Sequence, residues 1–311
     1  MQHQPYYVAI DIAKDSLQVQ TQHAAWSVPH SAAGHRQLLE RLAALGAVQV
    51  VCEASGGYER PLLAMLYQHQ IPVSLLNPAR VRAFARSEGQ QAKTDPLDAA
   101  LLLRFAQEKH PPLTTAPAPA QEALAAWLDR RAHLSEQLAR EKNRLQKSPI
   151  LVQHAIRAMI TFVEDQLADV DHQLRCLIQT EPTLRAQAQI LQSVTGIGAV
   201  TTWTLLAYLS EIAAPDWQRN QLVALAGLAP WNRDSGQWHG RRSISGGRAK
   251  VRRCLYMAAQ SAAQHNPVIR DYVQRLIARG KPYKCAIVAA MRKLLIHLQS
   301  LLKHHHYELA S

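Results

Sequence analysis

Along the first third of the chain the apolar positions change period several times. Tyr6–Asp11 (YYVAID) is a short apolar run, and Ser16–Thr21 alternates, with Leu17, Val19 and Thr21 in step. Alternation of period two marks a half-buried strand, and the polar turn Ala13–Asp15 between the two runs predicts a hairpin. Val48–Cys52 predicts a further buried strand, followed at once by Glu53. Residues 58–69 (YERPLLAMLYQH) read as a helix and Pro72–Leu76 as another strand. In Thr94–Glu108, Leu97, Leu101 and Phe105 recur at every fourth position, with Thr94 available as an N-cap, which predicts a helix. Strands alternating with helices predict a three-layer α/β domain over residues 1–115.

Pro111, Pro112, Pro117 and Pro119 then break the pattern and mark a boundary. Beyond them Gln121–Leu145 and Ala158–Ile178 read as long helices separated by Ser148-Pro149. Val163, Leu167, Val170, Leu174 and Leu177 step by four and three. That spacing fits a coiled-coil seam and equally an ordinary helix pair packed on its own domain. Either way, residues 116–188 form a helical connector, a spacer or an oligomerisation arm. Residues 189–311 are predicted mainly helical, with Ile287, Met291, Leu294, Leu298 and Leu301 on one face. The exception is a Gly-, Ser-, Trp- and Arg-rich loop region between Leu228 and Arg248. His304–His306 fits a frayed helix end better than a metal tract.

Composition narrows the class. The chain has 311 residues, 48% apolar and 19% charged, which is a folded protein and not a disordered tail. Its N-terminus lacks the basic start and apolar stretch of a signal peptide. Apolar runs such as Cys285–Met291 fall far short of the ~20 residues that span a bilayer. The expectation is a cytoplasmic protein with no membrane partner. Cys52, Cys176, Cys254 and Cys285 are scattered, which excludes a zinc ribbon and argues against a disulfide scaffold.

The formal net charge of +12 is unevenly placed. Residues 1–115 carry 10 basic and 9 acidic side chains, residues 116–190 carry 9 of each, and residues 191–311 carry 16 and 5. A field that lopsided attracts polyanions, and counterion release favours nucleic acid among them.

Four carboxylates in the first domain have the settings of a metal site. Asp11 and Glu53 end predicted strands, and Asp95 and Asp98, three apart, share one helix face. Converging, they suit two hard divalent cations that clamp both sides of a phosphoryl transfer. Taken singly, such acids are more simply explained by capping and the helix dipole; it is the ordered set that points to metal, and spacing alone does not separate Asp15 and Glu59 from it. In the C-terminal segment, Gly196-Ile-Gly198 is a turn whose backbone N–H groups suit a phosphate, or a glycine turn joining two core helices. Ser235 stands in an exposed loop with Arg233, Arg241, Arg242, Arg248 and Lys250 close in sequence. Guanidinium groups stabilise charge on a scissile phosphate, while a serine needs a base or metal to become a nucleophile. Ser243 and Ser245 read more simply as turn and capping residues. Trp231 and Trp238 fit base stacking or core packing equally.

Taken in order, A9-I-D11-I-A-K14, E53-A-S-G-G-Y58, N77-P78, K93-T-D95-P-L-D98-A, G196-I-G198, A226-G-L-A-P230, S235-G236 and I244-S-G-G247 before a basic helix with L255-Y-M257 resemble the DEDD transposases of the IS116/IS110/IS902 insertion-sequence family. That family includes bridge-RNA-guided recombinases and Piv-type invertases, and the likeness spans nearly the whole chain. It implies a RuvC-like (RNase H-type) domain at 1–115, a coiled-coil connector at 116–188 and a C-terminal transposase domain at 189–311. It implies Mg²⁺, with Mn²⁺ as a substitute, on Asp11, Glu53, Asp95 and Asp98. It also implies that Ser235 attacks DNA to give a phosphoserine intermediate, that a noncoding bridge RNA pairs with donor and target DNA, and that homodimers assemble into a homotetramer. One local departure is Ser55-Gly56-Gly57, where many relatives carry Thr-Gly-x. The alternatives are a RuvC-like nuclease that needs no serine and a basic nucleic-acid scaffold whose acids are structural.

Overall fold

The computed structural model describes residues 5–89, 95–214, 216–231, 234–235, 238–239 and 243–310, with the backbone alone at 95–97, 231, 234–235, 238–239 and 306–310. The chain divides into two units, Met1–Ala116 and Pro117–Ser311.

In the first unit, β1 (Tyr6–Ile12), β2 (Ser16–Gln20) and β3 (Ala25–Pro29) form an antiparallel meander. β4 (Val48–Glu53) adds to β1 in parallel, and β5 (Val73–Leu76) to β4, giving the order β3-β2-β1-β4-β5. The predicted β1–β2 hairpin is present. Period-two alternation sorts the sheet's side chains. Val8, Ile10, Leu17, Val19, Val50 and Cys52 pack under α1 (Ala32–Leu45) and α2 (Glu59–Gln68), through Leu38, Leu42, Leu62 and Leu66. Tyr7, Ala9, Val51 and Leu76 pack under α3 (Pro78–Ser87) and α4 (Asp95–Lys109), through Val81, Phe84, Leu101, Leu102 and Phe105. The result is three layers, helices on both faces of a mixed sheet. The predicted N-cap Thr94 lies outside the described residues.

The second unit opens with α5 (Pro119–Lys147) and α6 (Ile150–Thr180). Only Ser148 and Pro149 separate them, and Pro fixes the turn because it cannot continue α5. Arg131 forks onto Asp171 (2.6 and 3.3 Å) and Lys142 reaches Glu164 (2.7 Å), so the helices run antiparallel. The seam residues Val163, Val170 and Leu174 are buried, with Leu167 and Leu177 packed beside them, and all join Leu124, Leu128 and Leu134 of α5. Toward the turn the hairpin leaves Ile150, Leu151 and Phe162 exposed.

The same core continues through α7 (Pro182–Gln192), α8 (Ala199–Tyr208), α9 (Arg219–Leu225), α10 (Ala249–His265), α11 (Pro267–Ala278) and α12 (Tyr283–Ala310). Tyr283–His305 has the length and hydropathy of a membrane span, with half of its most apolar window buried. Ile287, Met291, Leu294, Leu298 and Leu302 place that apolar face inside the unit's own core, so core packing accounts for its composition.

Candidate functional site

The strand register places two of the four predicted carboxylates side by side. The parallel β1–β4 ladder runs from Tyr6–Val48 to Ile10–Cys52, so the next residues on the two strands are Asp11 and Glu53. Their alternation partners Ala9 and Val51 lie on the α3/α4 face, which assigns both acids to that side. The direction of α4 brings in the third. Tyr7, near the start of β1, meets His110, just past the end of α4, with Oη and Nδ1 3.3 Å apart. The far end of α4, which carries Asp98, therefore lies toward the carboxyl end of β1. Asp98 also precedes the buried Leu101 and Leu102 by three and four positions, which puts it on the sheet-facing stripe of the helix. Asp11, Glu53 and Asp98 are all half-buried.

Among the described residues no three acids, histidines or cysteines stand as a ready-made metal cage, and the Asp95 side chain lies outside the description. The donor set nonetheless fits a hard cation. It is all carboxylate, and Mg²⁺ keeps several waters, taking one or two protein carboxylates plus substrate phosphate oxygens in place of a closed cage.

Glu59, which spacing could not separate from the set, has a different task. Its Oε2 accepts from Ser55 N (3.0 Å), Ser55 Oγ (2.8 Å) and Gly57 N (2.8 Å), tying down the loop that leaves Glu53. Partial burial raises its pKa, but these bonds and the backbone N–H of Glu59 itself outweigh that and hold it below the ordinary value. The stability gained from the charged form is therefore complete above pH 4.5, the ordinary value, and fades as pH falls below it. Glu59→Gln is expected to cost about 1–2 kcal/mol at neutral pH, because bonds to a charged acceptor are lost. The gap from wild type should close in acid, as urea unfolding at several pH values would show. The signal was in the sequence: a loop rich in Ser and Gly that a helix-N-terminal Glu can cap. Asp15 is exposed and contributes only its backbone carbonyl, to His30 N (3.0 Å).

The predicted loop around Ser235 contains two short ladders. β6 (Pro230–Trp231) pairs with β9 (Ser243–Ile244), and inside them β7 (Asp234–Ser235) pairs with β8 (Trp238–His239), all antiparallel. Ser235 pairs with Trp238, so the serine belongs to a strand end and not to an unstructured loop. Arg233, Arg241 and Arg242 lie outside the described residues, as do the Trp231 and Trp238 side chains.

Two glycine motifs anchor this ladder at its base. Arg248 N donates to Leu225 O (2.8 Å), and a Cβ on Gly247 would lie 2.3 Å from Gly227 N and 2.6 Å from Leu225 O. Gly247 also has φ +61°, where side chains are disfavoured. Gly247→Ala is expected to destabilise the chain by about 2–4 kcal/mol, from overpacking and backbone strain together, read as a lower denaturant midpoint.

The remaining predicted contacts divide. Arg248 forks onto Glu211 (2.5 and 2.6 Å) and donates to the Tyr208 carbonyl (2.8 Å). Lys250 pairs with Asp129 and lies over the Tyr208 ring, whose hydroxyl also bonds Asp129. Both cations thus tie α10 to α8 and α5. Gly196 (φ +101°) packs where a Cβ would lie 2.6 Å from Ala262 Cβ, a close approach between the turn and α10. Gly198 is the residue before α8 and has open space around it.

Two family models match in succession, one described as "Transposase" over residues 8–155 and one as "Transposase IS116/IS110/IS902 family" over residues 188–274. Pilin gene-inverting proteins of Moraxella lacunata and Moraxella bovis are each 31% identical over 300 residues, covering 93% of both chains. The IS900 uncharacterized 42 kDa protein of Mycobacterium paratuberculosis is 27% identical over 250 residues, 79% of this chain and 53% of its own. With two family models matching in succession and relatives of 31% identity over 93% of both chains, the chain belongs to the IS116/IS110/IS902 family of transposases.

Proposed function

We propose that this transposase is a site-specific DNA recombinase that cuts and rejoins strands through a phosphoserine at Ser235. The observation that carries the reading is the register that sets Asp11 and Glu53 at the carboxyl ends of adjacent parallel strands, with Asp98 on the helix packed over the same face, in a chain collinear with pilin gene-inverting proteins. The antiparallel meander joined to two parallel strands supports a RuvC-like, RNase H-type first domain. Asp11, Glu53, Asp95 and Asp98 would hold Mg²⁺, or Mn²⁺ in its place. Bound there, the ions neutralise phosphate charge and ease attack at phosphorus.

Ser235 Oγ forms a bond to phosphorus as one backbone P–O ester bond breaks; the serine proton leaves to solvent, and the departing strand oxygen takes up a proton to become a hydroxyl. The freed strand keeps a hydroxyl that later attacks the phosphoserine, so the ester is remade without an external energy source. Arg233, Arg241 and Arg242 would grip the phosphate and stabilise its transition-state charge. Arg248 and Lys250, already paired with Glu211 and Asp129, would add their field to the same strand, and the Gly196–Gly198 turn, packed toward the other end of α10, would offer a separate backbone phosphate contact. A noncoding bridge RNA would select donor and target. The α5–α6 hairpin would be the coiled-coil connector, its exposed Ile150, Leu151 and Phe162 supporting a homodimer that builds a homotetramer, in the cytoplasm.

The test is to mix the full chain with Mg²⁺, donor and target DNA and the structured RNA transcribed beside its gene. An SDS-resistant protein–DNA adduct whose linkage maps by mass spectrometry to Ser235 is expected. Nicked DNA with no adduct would establish the nuclease reading instead, and binding without any cleavage the scaffold.

A further inference from the structure

The surplus of positive charge in the last part of the chain is not all committed to ion pairs. Between α10, α12 and β9 runs a groove of about 470 Å³ lined by Arg252, Arg253, Tyr256, Lys284, Val288 and Met291. Two helix stripes build it: 252, 253 and 256 on α10, and 284, 288 and 291 on α12, each set spaced to share a face. Arg253 and Lys284 make no ion pair or side-chain hydrogen bond among the described residues, and Arg252 donates only to the Gly246 carbonyl. None of the described lining residues is acidic. Three like charges beside one groove repel one another, whereas Arg248 and Lys250 one turn away are each neutralised.

The mixture of linings narrows the ligand. A free phosphate would need the cations but not the Tyr256, Val288 and Met291 wall, and an apolar ligand would need the wall but not the cations. A nucleotide needs both, a flat base and an anionic phosphate. Duplex DNA hides its base faces in the stack, so the base must come from an unpaired strand. Ile244 at the groove's edge belongs to β9, which pairs with β6 in a ladder separate from the β7–β8 ladder of Ser235. Ser235 and Ile244 are close in sequence, with at most about 30 Å of extended chain between them, so a strand cut at Ser235 would have the groove within a few nucleotides' reach.

We infer that this groove holds one unpaired nucleotide of the DNA strand cut at Ser235, its base against Tyr256 and Val288 and its phosphate on Arg253 and Lys284. The inference rests on the recombinase reading above for the identity of the strand, but not for the binding itself. It also gives a task to Tyr256 of the L255-Y-M257 motif, which the chemistry at Ser235 leaves unused.

The experiment is fluorescence anisotropy with the full chain and labelled oligothymidylate, oligouridylate and a mixed-sequence duplex, over a range of salt. It is run in the Ser235→Ala background, so that no bond is cut. Tyr256→Ala is expected to weaken oligothymidylate binding about tenfold, as loss of one stacked base does, with the salt slope and duplex affinity unchanged. Arg253→Gln with Lys284→Gln is expected to weaken it and to lower the slope of log K against log salt by about 0.7, one single-strand phosphate neutralised. Tyr256→Phe should bind like wild type, and thermal unfolding of each variant checks that the bundle is intact. Unchanged oligothymidylate affinity in folded variants, equal losses on duplex, or a preference for oligouridylate would each overturn the proposal. Adduct formation by the Ser235-containing chain is scored separately, so failure of the groove and failure of the recombinase reading remain distinct results.

Discussion

Ser235→Ala is expected to abolish the protein–DNA adduct and to reduce strand cleavage by a factor on the order of 10⁴ or more. DNA binding and the unfolding midpoint should stay where they are. The substitution removes one hydroxyl and nothing else that the ladder uses. The β7–β8 pairing of Ser235 with Trp238 is made by the backbone, and alanine keeps it. Without Oγ there is no acceptor for the phosphoryl group on the protein, and water is then the only nucleophile. Water would leave a nicked strand whose ester energy is lost, so rejoining would fail even where some cutting persists. Cleavage at undiminished rate in Ser235→Ala would therefore mean a hydrolytic nuclease. Gel assay of nicked product beside SDS-resistant adduct separates the two.

Much of the first unit can be read from its sequence, because its strands are short apolar runs with clear ends. The elements that the pattern does not reveal are those with weak burial. β3 (Ala25–Pro29) is an edge strand with only Val28 fully buried, and α1 (Ala32–Leu45) buries Leu38 and Leu42 in an otherwise exposed helix. Capping residues carried the missing signal. Ser31 Oγ accepts from Gly34 N, and Asn77 Oδ1 from Ala79 N beside Pro78 at the first helical position of α3 (Pro78–Ser87).

Long-range pairing is the other blind spot. The seam from Val163 to Leu177 states a period but not a partner, and the partner is α5 of the same chain. Arg248 and Lys250 count as available charge in a sequence. Their acids, Glu211 and Asp129, lie 37 and 121 residues away, and no local rule links them. Asp11 and Glu53 are the opposite case: the ends of two adjacent parallel strands become neighbours once the strands are identified. Glu59, six residues from Glu53, shows the limit of that logic, since a carboxylate with the right spacing can be wholly engaged in holding a loop.

Asp11→Asn is expected to lower both cleavage and adduct formation by about 10³-fold in Mg²⁺, the scale of several kcal/mol of lost transition-state stabilisation. Its effect on stability is read through the metal. Neighbouring strands in a sheet lie about 4.8 Å apart, and two carboxylates near that spacing repel by on the order of 1–3 kcal/mol, a repulsion that a bound divalent cation would relieve. Mg²⁺ should raise the wild-type midpoint through binding to the folded form, and raise that of the variant much less. If Asp11 were structural, the Mg²⁺-induced rise would be the same in both proteins. Thermal unfolding with and without the metal, on full-length protein free of nucleic acid, therefore reads the role of Asp11 without reference to any DNA reaction.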